Sequence, residues 1–263
     1  MILIGIPCYG GQCYSDFMMS LINLIKAFDK NKLQYDIHII SNESLISRAR
    51  NSIVAKFMDN FHYTHLLFLD SDLVFQPSTI LKMIAQRKEI VGASYPKKSL
   101  NWEKIKHHLN EPKGKTINEI QALSSDMNYN IIVNEKKQVQ LHEGFFKVKD
   151  VPTGMMLIDK RAMCQIINKN RDSKYKNNVA GYVGDNCFYD LFKVGVHNGI
   201  YLSEDYYFCQ LARECGIELW LDGDSTLMHI GKYNYMGNLG LTLMNSEAEK
   251  FDADGILLKG SLT

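Results

Sequence analysis

The stretch that decides the fold is Thr64-His65-Leu66-Leu67-Phe68-Leu69-Asp70-Ser71-Asp72. Its four consecutive large apolar residues, 66 to 69, are bounded by polar residues and predict a buried strand. Asp70 and Asp72 follow at once, and two close carboxylates repel each other unless positive charge lies nearby. Mg²⁺ or Mn²⁺ would supply that charge, since both prefer oxygen ligands and often bridge carboxylates to phosphates. A solvated turn with a helix cap is the alternative explanation of the same pattern.

Strands and helices alternate on both sides of this stretch. Apolar runs predict strands at 2–6, 37–40 and 90–94, and helical apolar spacing predicts helices at 17–28, at 44–61 and from Pro77. This order is typical of an α/β protein with a mostly parallel sheet flanked by helices. Ligands of such sheets bind beyond the carboxyl ends of the strands, where Pro7 and Asp70 are expected.

The second half of the chain is less regular. Residues 97–150 are polar and rich in Lys and Asn, and they are interpreted as a loop-rich insertion over the ligand-binding edge. Strands are predicted at 151–158 and 218–221, and a helix is predicted from Leu202 until Gly216 ends it. The expected organisation is a single catalytic domain, 1–235, followed by a C-terminal tail, 236–263.

Composition restricts the class of protein. Hydrophobic residues make up 46% and charged residues 22% of 263 residues, which is ordinary for a globular chain, and the net charge of +1 argues against bulk attraction to nucleic acid or membrane. Six cysteines without C-x-x-C spacing favour free thiols over a zinc site. No stretch approaches the roughly 18 apolar residues of a membrane span, and Pro7 interrupts the first apolar run. We expect a cytoplasmic protein without signal peptide or membrane anchor.

An acid pair lies in Ser203-Glu204-Asp205, where a helix is predicted to begin. Ser203 can cap that helix, and the acids can interact with its positive end, which is a sufficient structural explanation. The helix end would also keep a carboxylate ionised for work as a general base.

Three further features are candidates for the site. His229 lies in an apolar run that predicts a strand; a core histidine or an Mn²⁺ ligand would both fit there. Gly154 permits close approach of backbone to a ligand, or marks a bulge. Arg48 and Asn51 share a helix face, and Arg48 and Arg50 could contact phosphate or fix the acids.

Taken together, these residues resemble the GT-A glycosyltransferase superfamily, closest to its family 2-like, small and anchor-free members. That superfamily has a D-x-D motif after a central strand, a glycine-bearing loop, an acid pair and a C-terminal histidine, in that order. The matching positions are Asp70-Ser71-Asp72, Thr153-Gly154, Ser203-Glu204-Asp205 and His229. The resemblance covers roughly residues 2–235 and implies a GT-A (Rossmann-like) fold with a small antiparallel extension on the acceptor side.

The resemblance also implies roles for the site residues. Asp72 and His229 would ligate Mn²⁺ or Mg²⁺, and Asp70 would contact ribose or metal-bound water. Asp205 would deprotonate the acceptor hydroxyl in an inverting reaction, and Glu204 would orient the acceptor or Asp205. The expected contacts of the nucleotide-sugar donor, a UDP-sugar, are Pro7, Cys8, Tyr9, Arg48, Asn51, Asp70, Ser71 and Gly154. A glycan, a protein or another hydroxyl compound would be the acceptor.

The sequence differs from the pattern of family 2 members at two points. Many family 2 members carry an acidic residue for the uracil after the second strand, and here that place is Ser41-Asn42-Glu43. The Q-x-x-R-W signature of processive synthases is absent from the sequence, which disfavours a polysaccharide synthase.

The sequence leaves two other functions open. A nucleotidyl- or phosphoryl-transfer enzyme could use a similar sheet and similar acids, although Gly10-Gly11 is a poor phosphate loop. A nucleic-acid-directed sugar transferase, or a binding module, could use the basic stretch 97–115 beside Trp102.

Overall fold

The computed structural model describes residues 1–111, 114–133, 135, 138–178, 187–231, 233–244, 249–251 and 257–259. The helices are α1 (Ser15–Lys30), α2 (Ile46–Asp59), α3 (Pro77–Ala85), α4 (Trp102–Leu109), α5 (Ile117–Leu123), α6 (Lys160–Lys169), α7 (Glu204–Glu214) and α8 (Leu239–Met244).

The strands of the first half are β1 (Ile2–Cys8), β2 (Tyr35–Ser41), β3 (His65–Leu69), β4 (Leu73–Val74), β5 (Ile90–Ala93), β6 (Pro96–Leu100), β7 (Ser125–Met127) and β8 (Asn130–Ile131). Those of the second half are β9 (Leu141–His142), β10 (Phe145–Asp150), β11 (Met155–Asp159), β12 (Gly195–His197), β13 (Ile200–Leu202), β14 (Leu219–Asp222), β15 (Thr226–Ile230), β16 (Asn234–Asn238), β17 (Glu249–Phe251) and β18 (Leu257–Lys259).

A nine-stranded sheet forms the centre of the molecule, in the order β2-β1-β3-β11-β5-β14-β10-β8, with β9 beside β10. Strands β10 and β11 run against the direction of the other described strands of this sheet. The α/β class and the mostly parallel central sheet predicted from the sequence are therefore confirmed, and the arrangement is compatible with a GT-A fold.

Helices cover both faces of the sheet. Along β3, Leu66 and Phe68 pack with α2, α6 and α7, whereas Leu67 and Leu69 pack with α1 and α3 on the other face. Because each of these four side chains finds an apolar partner, the run contains no polar position, as is usual for the inner strands of α/β sheets. This double cover fixes the end of β3, where Asp70 begins.

A small antiparallel sheet, β16-β15-β4, lies beside that end. His229 of β15 pairs with Leu73 of β4, and the Ile230 amide donates to the Asp72 carbonyl at 2.8 Å. Backbone hydrogen bonds therefore hold Asp72 and His229 next to each other, although they lie far apart in the sequence.

The stretch 97–150 differs from the expected loop-rich insertion. It contains α4 and α5, which lie in the chain between the antiparallel strands β6 and β7, and its last six residues form β10 of the central sheet. In Phe145-Phe146-Lys147-Val148-Lys149-Asp150 the two lysines are more exposed than the three apolar residues, and Phe146 and Val148 pack in the same core cluster. That alternation suits a strand covered on one face, and the surrounding polar sequence concealed it.

One strand boundary also differs from the expected one. The predicted strand 151–158 begins only at Met155, because Val151 and Pro152 lie outside any strand and Thr153 and Gly154 form a turn. Residues 236–244 complete β16 and form α8, whose Leu239 and Leu243 are fully buried. The division of the chain into a domain, 1–235, and a tail, 236–263, stays a prediction. Across the described ranges, no helix has both the length and the apolar character needed to cross a membrane.

Candidate active site

A cleft of about 280 Å³ opens at the carboxyl edge of the sheet. Strand ends supply its walls, because β1 ends with Pro7 and Cys8 before Tyr9, and β3 leads into Asp70-Ser71-Asp72. Ile40, Glu43 and the start of α2 close the opposite side. Six of the predicted site residues therefore line one cleft, at the edge where ligands of parallel sheets bind.

Two basic side chains converge on Asp72. Lys98 Nζ lies 2.6 Å from Asp72 Oδ2, and His229 Nε2 lies 3.3 Å from the same oxygen. Burial alone would raise the pKa of Asp72, but hydrogen bonds from His229 and Lys98 outweigh it and lower the pKa below its ordinary value. Asp72 is consequently an ionised carboxylate at neutral pH.

The tautomer of His229 follows from its second contact. Nδ1 lies 2.9 Å from the carbonyl oxygen of Pro96, and a carbonyl only accepts, so Nδ1 carries a proton and donates it. With Nδ1 held in this way, Nε2 is the ring nitrogen that faces Asp72. A histidine held by a backbone carbonyl in this way is typical of metal ligands.

These residues fit a divalent cation. A carboxylate oxygen and an imidazole nitrogen 3.3 Å apart are close enough to share one ion, and both are acceptable Mn²⁺ ligands. Asp70, two residues along, supplies a further carboxylate that is partly exposed at the cleft. Because Lys98 contacts the same Asp72 oxygen, it must turn away for that oxygen to bind a metal.

Arg50, from the middle of α2, joins the two acidic motifs. Its Nη2 lies 3.0 Å from Asp70 Oδ1, and its Nε lies 3.5 Å from Glu204 Oε1. The guanidinium is buried with its carbon 5.4 Å from the centre of the Phe68 ring. Burial acts to lower its pKa, but the two carboxylates raise the pKa of Arg50 overall. Nε and Nη1 have no hydrogen-bond partner in the described part of the chain.

The acid pair lies at the first turn of α7. Burial, with the neighbouring Asp205 charge, raises the pKa of Glu204 despite the opposing effect of Arg50. Asp205 accepts a hydrogen bond from the Tyr206 amide at 2.9 Å and another from the Ser203 hydroxyl. Ser203 occupies the N-cap position but, contrary to expectation, its side chain does not cap the helix backbone. Its hydroxyl instead holds Asp205 in place.

Gly154 has a packing role in the structure. Its amide donates to the Tyr95 hydroxyl at 3.2 Å, and a β-carbon at this position would overlap that hydroxyl. Its carbonyl accepts from the Asp70 amide at 2.9 Å. The Tyr95 ring in turn meets the His229 ring edge to face, with centroids 5.1 Å apart. The glycine therefore lets Tyr95 approach the site and support His229.

Arg48 and Asn51 face a neighbouring pocket of about 570 Å³. Arg48 forms a two-pronged ion pair with Glu43, with both nitrogen–oxygen distances 2.7 Å. The Asn51 side chain is buried; its amide nitrogen donates to Asp190, and its oxygen accepts from the amides of Leu191 and Phe192. The structure thus brings these two residues together, but on the other side of α2 from the cleft.

Arg50, which the sequence indicated could fix the acids, does contact Asp70 and Glu204. Two other residues that touch the site, Lys98 and Tyr95, were not identified from the sequence. Only the tertiary fold brings β6 and the end of β5 to Asp72 and Gly154.

The basic stretch 97–115 is largely neutralised in the described residues. Lys98 contacts Asp72, Lys104 lies 2.9 Å from Asp126, and Lys115 lies 2.5 Å from Glu111. Trp102 is exposed beside them. The use of this stretch for nucleic-acid binding stays an untested alternative.

The chain is similar to several solved structures at low sequence identity, while no family model and no curated protein matches it. A197 from STIV is similar over 99% of this chain and 95% of its own, at 15% identity and a TM-score of 0.47. GalNAc-T7 with UDP, GalNAc and Mn²⁺ matches 88% of this chain and 43% of its own, at 9% identity and a TM-score of 0.45. A 4-diphosphocytidyl-2C-methyl-D-erythritol synthase from Anaerococcus prevotii matches 68% and 78%, at 10% identity and a TM-score of 0.34.

Proposed function

We propose that this protein is a metal-dependent glycosyltransferase that moves a sugar from a nucleotide-diphosphate donor, expected to be a UDP-sugar, to a hydroxyl acceptor. The observation that carries the proposal is the convergence of Asp72, His229 and Lys98 beside a cleft at the carboxyl edge of the sheet. Such an arrangement suits an anionic ligand that binds together with one or more cations.

The cleft would hold the nucleotide, with Pro7, Cys8 and Tyr9 against the base. Asp72 and His229 would ligate Mn²⁺ or Mg²⁺, with Asp70 on the ribose or on metal-bound water. The bound cation would neutralise charge on the leaving diphosphate. Lys98 would exchange its contact with Asp72 for a contact with the diphosphate, and the unpartnered Nη1 of Arg50 would supply one more donor near Asp70.

Asp205 would act as the general base. The acceptor hydroxyl would give its proton to Asp205 while its oxygen forms a bond to the anomeric carbon and the bond from that carbon to the diphosphate breaks. Such a displacement inverts the configuration at the anomeric carbon. Ser203 and the Tyr206 amide already hold the Asp205 carboxylate at the helix start, which positions the base. Glu204, tied to Arg50, would orient the acceptor or Asp205.

The neighbouring pocket would accept part of a hydroxylated acceptor. It borders α7 one turn after Glu204, at Tyr207, and Asp172, Asp190 and Lys193 supply hydrogen-bonding groups. The Tyr175 hydroxyl in this pocket is buried and has no hydrogen-bond partner among the described residues. Aromatic rings beside charged side chains suit a sugar ring, which has apolar faces and a polar rim.

Donor hydrolysis tests the proposal. The protein is mixed with a panel of nucleotide sugars and Mn²⁺, and released nucleoside diphosphate is measured. Turnover of at least one donor is expected, and Asp72→Asn should abolish it, whereas Asp59→Asn, which alters an exposed carboxylate at the end of α2, should not. Release of pyrophosphate from nucleoside triphosphates would support nucleotidyl transfer instead. No turnover and no binding of any donor would exclude the glycosyltransferase.

A further inference from the structure

A second group of metal-ligating side chains lies at the carboxyl end of α4, and it shares no residue with the candidate active site. His107 and His108 occupy the last turn of the helix, and Glu111 follows the residue that ends it. Nδ1 of His108 lies 2.7 Å from Glu111 Oε1, and Nε2 of His107 lies 3.7 Å from the same oxygen. One ligand atom from each residue can be chosen so that all three lie within 4.8 Å of one another.

This spacing suits a four-coordinate zinc ion. Bonds of about 2.0–2.2 Å in a tetrahedral site separate neighbouring ligand atoms by about 3.3 Å. The two distances to Glu111 Oε1 lie on either side of that value, so small rotations of the side chains would bring the atoms to ligand spacing.

The carboxylate of Glu111 is already oriented for this role. Lys115 holds Oε2 at 2.5 Å, which leaves Oε1 facing the two imidazoles. A ligating carboxylate whose second oxygen is held by a neighbour is common in metal sites.

The surroundings allow an ion to enter. His107 has a side chain that is 62% exposed, and a hollow of about 330 Å³ borders His107 and Glu111. Glu103, one helical turn before His107, lines the same hollow. A water molecule from this hollow can complete a set that begins with two imidazoles and one carboxylate.

We propose that His107, His108 and Glu111 form a binding site for Zn²⁺ or a similar first-row transition-metal ion, separate from the Asp72–His229 pair. Two nitrogen ligands and one oxygen ligand favour such an ion over Mg²⁺ or Ca²⁺, which prefer oxygen alone. The ion would fasten the end of α4 to the segment that follows it, and α4 comes shortly after the strand that carries Lys98. Its role would therefore be structural, in the part of the chain next to the candidate active site.

Cobalt spectroscopy on the whole, metal-stripped chain tests the proposal, because four-coordinate Co²⁺ absorbs visible light far more strongly than six-coordinate Co²⁺. Wild type should show the strong bands at one equivalent of Co²⁺, and Zn²⁺ should remove them. His107→Ala and Glu111→Gln should each weaken Zn²⁺ binding, measured by calorimetry, at least about tenfold. Both side chains are partly exposed, so these variants should fold even if one at the buried His108 does not.

Two controls separate this site from other metal binding. His62→Ala removes an exposed histidine far along the sequence from α4 and should leave the bands unchanged. Asp72→Asn disables the candidate active-site pair and should also leave them unchanged, so the result does not depend on the proposed glycosyltransferase activity. Weak six-coordinate spectra in wild type, or strong bands that persist in His107→Ala, would overturn the proposal.

Discussion

Asp72 and Glu204 are both half-buried carboxylates at the ends of secondary-structure elements, yet their electrostatic environments differ. Asp72 lies against Lys98 and His229, which lower its pKa, whereas burial and Asp205 raise the pKa of Glu204 even though Arg50 is near. The first environment keeps a negative charge ready for a cation. The second resists adding more negative charge around Glu204 and Asp205, where the proposed reaction takes up a proton. Similar residues are thus prepared for different chemistry by their neighbours.

The largest effect is expected from replacing Arg50, the positively charged side chain that contacts both Asp70 and Glu204. Arg50→Met should lower the free energy of unfolding by about 3–5 kcal/mol, because Asp70 and Glu204 both lose a buried partner. Chemical denaturation measures the loss. Arg50→Lys keeps the charge but not the planar fork, so its loss should be smaller. Equal stability of Arg50→Met and wild type would show that Arg50 does not join the two acidic motifs.

The next test acts on the acid pair alone. Asp205→Asn should lower kcat for sugar transfer by about 10²–10⁴-fold, since an amide cannot accept the acceptor's proton. The Kd of the nucleoside diphosphate, measured by calorimetry, should stay unchanged because Asp72 and His229 are intact. Asp59→Asn serves as the matched control. Transfer at the wild-type rate would remove Asp205 from its proposed role.

The third test changes only the surroundings of Asp72. Lys98→Met should tighten Mn²⁺ binding about two- to fivefold, because the ion no longer competes with a partly exposed ion pair of roughly 0.5–1 kcal/mol. The same variant should bind nucleoside diphosphate more weakly. Paramagnetic resonance of free Mn²⁺ gives the first quantity and calorimetry the second.

Lys97 provides the control for this test. It precedes Lys98 in β6, so its side chain points to the other face of the strand. Lys97→Met should change neither affinity. Weaker Mn²⁺ binding in Lys98→Met than in wild type would contradict the proposed competition.

The smallest expected effect is on the pH dependence of stability. Asp72 has a lowered pKa in the folded state, so its contribution is present above the unfolded pKa near 3.8 and is lost as pH falls through the folded value. Glu204 has a raised pKa, so stability is highest below its unfolded value near 4.5 and falls as pH rises through the folded value.

Two isosteric variants make that difference measurable by denaturant titration at several acidic pH values. Relative to wild type, Asp72→Asn should be most destabilised above the Asp72 transition and should approach wild type as pH falls. Glu204→Gln should be least stable relative to wild type at the lowest pH. Its stability relative to wild type should then increase as pH rises. Parallel pH profiles for the two variants would show that their environments do not differ in sign.

The sequence predicted the parts of this arrangement that depend on local pattern. The run Leu66–Leu69 identified the central strand because both of its faces are covered, and the site at its end followed from the rule for parallel sheets. It did not predict the contact between Lys98 and Asp72, because β6 (Pro-Lys-Lys-Ser-Leu) has no apolar alternation that would identify a strand. Strand β10 was missed because its alternation is short and lies in a polar stretch.

The position of His229 likewise could not be predicted from local sequence patterns. Its own segment predicts only a strand, and its position beside Asp72 depends on pairing with β4, which has two residues and no recognisable pattern. The order of the motifs in the superfamily indicated that His229 belongs to the site. The local sequence around His229 does not indicate which of its atoms faces Asp72.

The ladder β16-β15-β4 also bears on how this site could change during evolution or design. Main-chain hydrogen bonds, rather than the side chains themselves, set the spacing of positions 72 and 229. A different side chain at position 229 would therefore lie beside residue 72 without any change in the backbone. Aspartate or asparagine there would give an all-oxygen ligand set and shift metal preference from Mn²⁺ toward Mg²⁺ without rebuilding the backbone.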